Sequence, residues 1–174
     1  MKSIVGVLAV LAAPVFVWAD EAGGIQWKPP AGWKSKGTSS MRAATYTVQA
    51  APGDPEPGEC AVFYFGAGQG GGVEANIDRW VGQFEQPDGK PSRQAAKTGK
   101  ETVQGLAVST IDLSGTYLAG GPMATVKTRK PGFRLLGAIV EAPQGNVFFK
   151  LTGPAKTIAA AQKDFRAMIQ SVRR

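Results

Sequence analysis

The sequence predicts an α+β fold, a mainly antiparallel sheet with helices on both faces, arranged as a three-layer α/β/α sandwich. Three observations predict it. Strand-like segments come in blocks joined by short turns, in the approximate order ββαββββα, rather than alternating one by one with helices. The strand-like runs Cys60 to Phe65 and Phe133 to Glu141 are apolar at nearly every position, so both of their sides need cover. Two helix-like segments each carry a wide apolar stripe, and each stripe needs a surface to pack on.

The elements follow in order. Ile25-Gln26-Trp27 is a short apolar opening that runs into the turn Pro29-Pro30-Ala31-Gly32-Trp33. Ala43 to Gln49 alternates, with Ala44, Tyr46 and Val48 on one side, as a half-buried strand does. Ala51 to Gly58 is a loop rich in proline and glycine, and Cys60 to Phe65 is a central strand. After the glycines, Val73, Ile77, Trp80, Val81 and Phe84 recur at helical spacing, and Gln86-Pro87-Asp88-Gly89 should stop that helix. Arg93 to Val103 is polar and strand-like, Gln104-Gly105 is a turn, and Leu106 to Tyr117 is a long strand. Its apolar phase shifts between Val108 and Ile111, which a bulge would explain. Leu118 to Gly132 reads as a loop in which Val126 and its neighbours pair briefly. Phe133 to Glu141, the turn Pro143 to Asn146 and Val147 to Leu151 form a hairpin. Pro154 suits the first position of a last helix, whose stripe is Ile158, Ala161, Phe165, Met168, Ile169 and Val172.

The amino terminus reads as a leader. Lys2 precedes the apolar run Ile4 to Val17, and Val17-Trp18-Ala19 places small residues at the −3 and −1 positions of a cleavage site. The run is shorter than the roughly 20 residues of a spanning helix, and Pro14 interrupts it. The expected organisation is a signal peptide at 1–19 and a single domain at 20–174, exported to the periplasm or the extracellular space after cleavage near Ala19. No transmembrane segment is expected in the mature chain. A domain of that length buries about 70% of its unfolded surface.

Composition limits the chemistry. Histidine is absent, which removes imidazole bases, histidine-dependent triads and the usual zinc sites. One cysteine, Cys60, cannot form an internal disulfide, and its place in an apolar run marks it as a small buried hydrophobe. The formal net charge is +7, and losing Lys2 with the leader lowers it by one. A basic balance suits anionic partners or simply a soluble surface.

Three features together resemble a known family. They are the segment Trp27-Lys28-Pro29-Pro30-Ala31-Gly32-Trp33, the helix inserted after the strand ending at Phe65, and the closing helix through Phe165-Arg166-Ala167-Met168-Ile169-Gln170-Ser171-Val172. The chain is similar in these to the PsbP-like sandwich, a fold of photosystem accessory subunits and small exported bacterial proteins. The resemblance implies a non-enzymatic accessory or binding role and brings no catalytic residue set.

The segment Gly66-Ala67-Gly68-Gln69-Gly70-Gly71 matches G-x-G-x-x-G, but it lacks the second parallel strand and its terminal acid that a dinucleotide site requires. No Lys-Ser/Thr follows, so it is not a P-loop. What survives is a candidate anion or ligand loop, Gly68, Gly70, Gly71 and Gly72 with Glu74, in which backbone amides would hold a small anion. Glu74 and Asp78 sit one helical turn apart and, with Tyr64, would serve an enzyme built on that loop. The candidate basic patch is Lys127, Arg129, Lys130 and Arg134, a surface for anionic membrane or glycan. Asp112, inside a strand, needs a partner if buried, either Arg134 or a lysine. Trp33 either plugs the core edge or binds a ligand, and Trp80 belongs to the core.

The expected function is therefore an exported, non-enzymatic accessory or binding protein. The alternatives are a ligand- or anion-binding protein or enzyme using the glycine loop, and a binder of anionic surfaces through the loop 127–134. No catalytic residue, cofactor or metal is expected. The expected partner is an anionic surface or another exported protein, and not nucleic acid.

Overall fold

The computed structural model describes residues 20–120 and 126–174. The expected leader at 1–19 and part of the glycine-proline turn after Gly120 lie outside the described residues. Among the described residues the elements follow in the order β1 Asp20–Ala22, β2 Ile25–Trp27, β3 Lys34–Ser39, β4 Arg42–Val48, β5 Gly58–Tyr64, α1 Val73–Val81, β6 Phe84–Glu85, α2 Ser92–Ala95, β7 Lys97–Val103, β8 Leu106–Ala119, β9 Thr128–Ala142, β10 Gly145–Pro154 and α3 Ala155–Gln170. β1 and β2 form a small antiparallel ribbon. The other eight strands make one sheet in the order β3-β4-β5-β10-β9-β8-β6, with β7 also on β8, and their pairs are antiparallel. The class is α+β.

The strands bury alternate residues in two different apolar clusters, as a period of two requires. On β10, Val147, Phe149 and Leu151 join one cluster and Phe148 joins the other. On β9, Leu136, Ala138 and Val140 go one way, and Phe133, Leu135 and Ile139 the other. The first cluster contains Ile158, Ala161, Phe165, Met168 and Ile169 of α3, and the second contains Ile77, Trp80 and Val81 of α1. The expected helical stripes are the contacting surfaces in both cases.

This two-way burial also explains the phase shift in β8. Leu106 and Val108 belong to the α3 cluster, Ile111 and Leu113 to the α1 cluster. Register with β9 is unbroken from Val108↔Val140 to Gly115↔Phe133, so the expected bulge between Val108 and Ile111 is absent. The irregularity falls between Gly115 and Tyr117.

Other boundaries differ from expectation for identifiable reasons. α1 ends at Val81 with Gly82 as its C-cap, and Phe84 begins β6, paired with Tyr117. Phe84 continued the stripe because it is buried in the same cluster as α1. The segment expected as a loop from Leu118 to Gly132 is largely strand: β8 runs to Ala119, which pairs with Thr128 at the start of β9. Val126 lies outside both strands and is 81% exposed. β3 is exposed throughout and carries no apolar alternation to read. Ser92–Ala95 is a helical turn where a strand was expected.

The loop between β4 and β5 anchors α3. Asp54 Oδ2 accepts hydrogen bonds from the backbone N–H of Thr157 at 2.8 Å and from its hydroxyl at 2.5 Å. A carboxylate here satisfies a free N–H of the first turn and complements the helix dipole, a role that Pro154 at the N-cap cannot fill.

Candidate functional site

Beyond the reach of α1, the strand side that carries Phe148 changes character. β10 continues there with Lys150 and Thr152, and β5 with Phe63, Ala61 and Glu59. Cross-strand register sets Lys150 beside Ala61 on one flank and Gly137 on the other. Gly137 lies beneath Trp80, where an added Cβ would come within 2.4 Å of the indole. Two small neighbours leave room around the lysine. Arg42, Glu56, Tyr117, Lys130 and Phe133 close the surroundings into a cleft of about 270 Å³.

Charge in the cleft is paired and stacked. Arg42 Nη1 meets Glu59 Oε1 at 2.8 Å and its guanidinium lies 5.4 Å from the Phe63 ring centre. Lys130 Nζ meets Glu56 at 2.5 Å and lies 5.3 Å from the Phe133 ring. Lys150 Nζ lies 5.2 Å from the ring of Tyr117, which stacks on Phe133 at 6.0 Å. Each cation thus rests on an aromatic ring, a contact that strengthens as water is excluded.

Lys150 differs from the other two. Among the described residues no carboxylate lies within salt-bridge distance of its ammonium. It donates instead to Gln83 Oε1 and, at 3.4 Å, to the Tyr117 hydroxyl. Burial strips it of water and the Arg42 guanidinium repels it, with Glu59 opposing in part, so its pKa falls from 10.5 to about 8. Burial likewise raises the Tyr117 phenol above its ordinary value. Thr152 also lines the cleft, and its Oγ1 is buried without a hydrogen-bond partner among the described residues. The arrangement can hold an anionic group. Among the described residues no serine, cysteine or histidine lines it.

Of the residues read from the sequence, only Lys130 falls in this cleft. The candidate basic patch does not form one surface. Lys130 pairs with Glu56 and Arg129 with Glu85, while Lys127 is exposed beside them. Arg134 shares its strand alternation with Leu136 of the α3 cluster. There it makes a two-pronged pair with Asp112, Nε to Oδ1 at 2.8 Å and Nη2 to Oδ2 at 2.7 Å, and it also donates to Gln162 of α3. Of the two partners open to Asp112, Arg134 or a lysine, Arg134 is the one found, and the hydrogen bonds to Asp112 raise the Arg134 pKa.

The glycine loop is held from below. Asn76, 2% exposed, donates through Nδ2 to the carbonyls of Gly70 at 2.8 Å and Gly72 at 2.9 Å. Its Oδ1 accepts from Arg79 at 2.7 Å. Gly70 has φ +84° and packs so closely on Phe65 and Phe148 that a Cβ there would clash at 2.6 Å. Gly68 and Gly71 also have positive φ, and Gly72 is the N-cap of α1. The groove beside that helix start carries Glu74, Glu101 and Glu141 against Lys100, an acidic balance. Glu74 and Asp78 both pair with Arg93. Among the described residues no cluster of three or more acids or cysteines is placed to hold a metal ion.

Cys60 is fully buried, and burial raises its thiol pKa. Trp27 and Trp33 are buried too. Trp27 donates from Nε1 to the Tyr46 hydroxyl at 2.9 Å, and Tyr46 in turn donates to Asp20. The cleft escaped sequence reading because its residues come from five separate stretches of the chain. The one available signal was Lys150, a lone charge in the run Val147-Phe148-Phe149-Lys150-Leu151.

Among the described residues no helix is long and apolar enough to cross a membrane. No model of a protein family and no curated protein matches the chain. Solved structures similar to it include the following two. The PsbP protein (CyanoP) of Synechocystis sp. PCC 6803 has 12% identity and a TM-score of 0.54, covering 95% of this chain and 98% of its own. A Pseudomonas aeruginosa protein of unknown function has 11% identity and a TM-score of 0.48, over 88% of this chain and 94% of that one. At 12% identity the first likeness concerns the fold alone. The chain has a PsbP-like fold.

Proposed function

We propose that this chain is an exported, non-catalytic binding or accessory protein that holds a small ligand in the cleft around Lys150. The cleft is the observation that carries the reading: a concave site of about 270 Å³ in which three cations face two carboxylates among aromatic rings. Export rests on Lys2, the apolar run Ile4 to Val17 and the small residues at Val17 and Ala19. The three-layer sandwich belongs to the same proposal. It is supported by strands whose alternate residues enter the α3 cluster and the α1 cluster.

The cleft is favoured over the two other surfaces on charge. Arg129, Lys130 and Arg134 each already have a carboxylate partner, which lowers the free charge that the basic loop offers to a membrane or glycan. The start of α1 already has Glu74 in its first turn, with Glu101 and Glu141 across the groove, which repels an anion.

A fragment library screened by amide chemical-shift mapping on the purified protein tests this. The expected result is binders that perturb Ala61, Lys150 and Thr152 and that are recovered unchanged. Binders confined to Gly66–Gly72 or to Lys127–Arg134, or turnover of a bound compound, would overturn the proposal.

A further inference from the structure

We propose that the ligand of the cleft is a small organic monocarboxylate, its carboxylate pairing with Lys150 Nζ and its apolar body lying among Phe63, Tyr117 and Phe133. This rests on the cleft being the ligand site and adds the chemistry of what it takes.

The charge balance gives the valence. Arg42 and Lys130 are each neutralised by a glutamate at hydrogen-bonding distance, Glu59 and Glu56 respectively. Lys150 lies in the same lining with no carboxylate of the described residues in contact. A half-buried ammonium with no counterion is costly, and one negative charge relieves the cost. A second negative charge would meet Glu59 and Glu56. Phosphate, at about −1.5 to −2 near neutral pH, is the poorer match.

The remaining lining gives the shape. Phe63, Tyr117 and Phe133 offer apolar surface beside the charges, and rings next to a cation suit a ligand with one wet end and one dry end. Ala61 and Thr152 complete the lining between these rings and the charges. The volume of about 270 Å³ lies below the roughly 300–1,000 Å³ of drug-sized pockets, which holds the body to a handful of heavy atoms.

The titratable and charged groups that face Lys150 are Arg42 from β4, Glu59 from β5, Glu56 from the preceding loop, Tyr117 from β8 and Lys130 from β9. A carboxylate arriving among them stabilises the charged lysine. Binding should therefore raise the Lys150 pKa, and affinity should fall as pH rises through about 8.

The test titrates the isotope-labelled protein with benzoate, its neutral isostere benzamide, and inorganic phosphate. Benzoate should perturb Ala61 and Thr152 and bind about ten- to a hundredfold more tightly than benzamide, the contribution of one charge-assisted hydrogen bond. Lys150→Met should reduce benzoate to the affinity of benzamide. Amide shifts of Lys150→Met unchanged away from the cleft guard against a folding defect in the lysine variant. The Lys150 side-chain resonance should titrate at higher pH with benzoate bound. Equal binding of benzoate and benzamide in the cleft, tighter binding of phosphate, or benzoate affinity unchanged in Lys150→Met would overturn this proposal and leave the cleft as a ligand site. Perturbations by all three probes away from Ala61 and Thr152 would overturn both.

Discussion

The two apolar clusters on the same strands are finished differently. α3 spans 16 residues, and in its cluster β5 stays apolar with Cys60 and Val62 and β10 with Val147, Phe149 and Leu151, while β9 carries Val140, Ala138 and Leu136 before reaching Arg134, whose charge Asp112 neutralises. α1 spans nine, and the positions in its cluster run out. Phe148 is followed by Lys150 and Thr152, Phe63 by Ala61 and Glu59. A strand side can be apolar only where something covers it. Past the last positions of the α1 cluster the same strands carry charge, and the proposed ligand cleft lies there.

Substitutions that break this difference should be largest on the α3 side. Phe149 is fully buried and meets Trp27 edge to face at 5.1 Å. Phe149→Ala should cost about 3–5 kcal/mol in urea unfolding. Phe63→Ala, at the open end of the other cluster, removes a half-buried ring and should cost about 1–2 kcal/mol. Equal losses would mean that the α1 side is as fully packed as the α3 side.

Gly137→Ala comes next. Its Cβ would lie 2.4 Å from Trp80 Cζ3 and 2.7 Å from Ile111 Cγ2, so the helix must lift or the strand must shift. Overpacking of this kind costs about 1–3 kcal/mol. The loss should be local, with amide exchange faster in α1 and little changed in α3. Uniform acceleration across both helices would show that the two clusters unfold as one.

The same contrast explains what the sequence made legible. Periodicity exposed α1, α3 and the long strands that share their clusters, because burial writes apolar spacing, but it took Phe84 of β6 for the end of α1. It misread β8 at Val108 and Ile111, since one strand serving first one cluster and then the other mimics a bulge. It missed β3, the extension of β8 to Ala119 and the start of β9, which bury little. For the cleft, the chain offers Arg42, the pair Glu56 and Glu59, Tyr117, Lys130 and Lys150 far from one another, and only the strand order brings them together. Asp112 was legible as a residue in need of a partner because a carboxylate inside a strand has few options. Lys150 posed the same question from the same kind of position.

The smallest effect isolates that lysine. Its folded pKa of about 8 lies below the ordinary 10.5, so between these values the unfolded chain binds more protons than the folded one, and stability gains from this group as pH rises. Below pH 8 the full cost of burying the charge is present. Cys60, Tyr46 and Tyr117 act in the opposite sense. Burial raises their pKa values, so the unfolded chain loses their protons first and stability falls in alkali. A pH profile of the native protein mixes these contributions, and the difference between it and Lys150→Met separates them. Replacing the ammonium by an apolar chain of similar length should stabilise the fold by about 1–2 kcal/mol at pH 7, after allowing for the lost contacts to Gln83 and Tyr117. That gap should close as pH rises from 8 towards 10.5. A gap that stays constant across this range would show that Lys150 is solvated like a surface lysine, and the α1 side would then lack the uncompensated charge that distinguishes it from the α3 side.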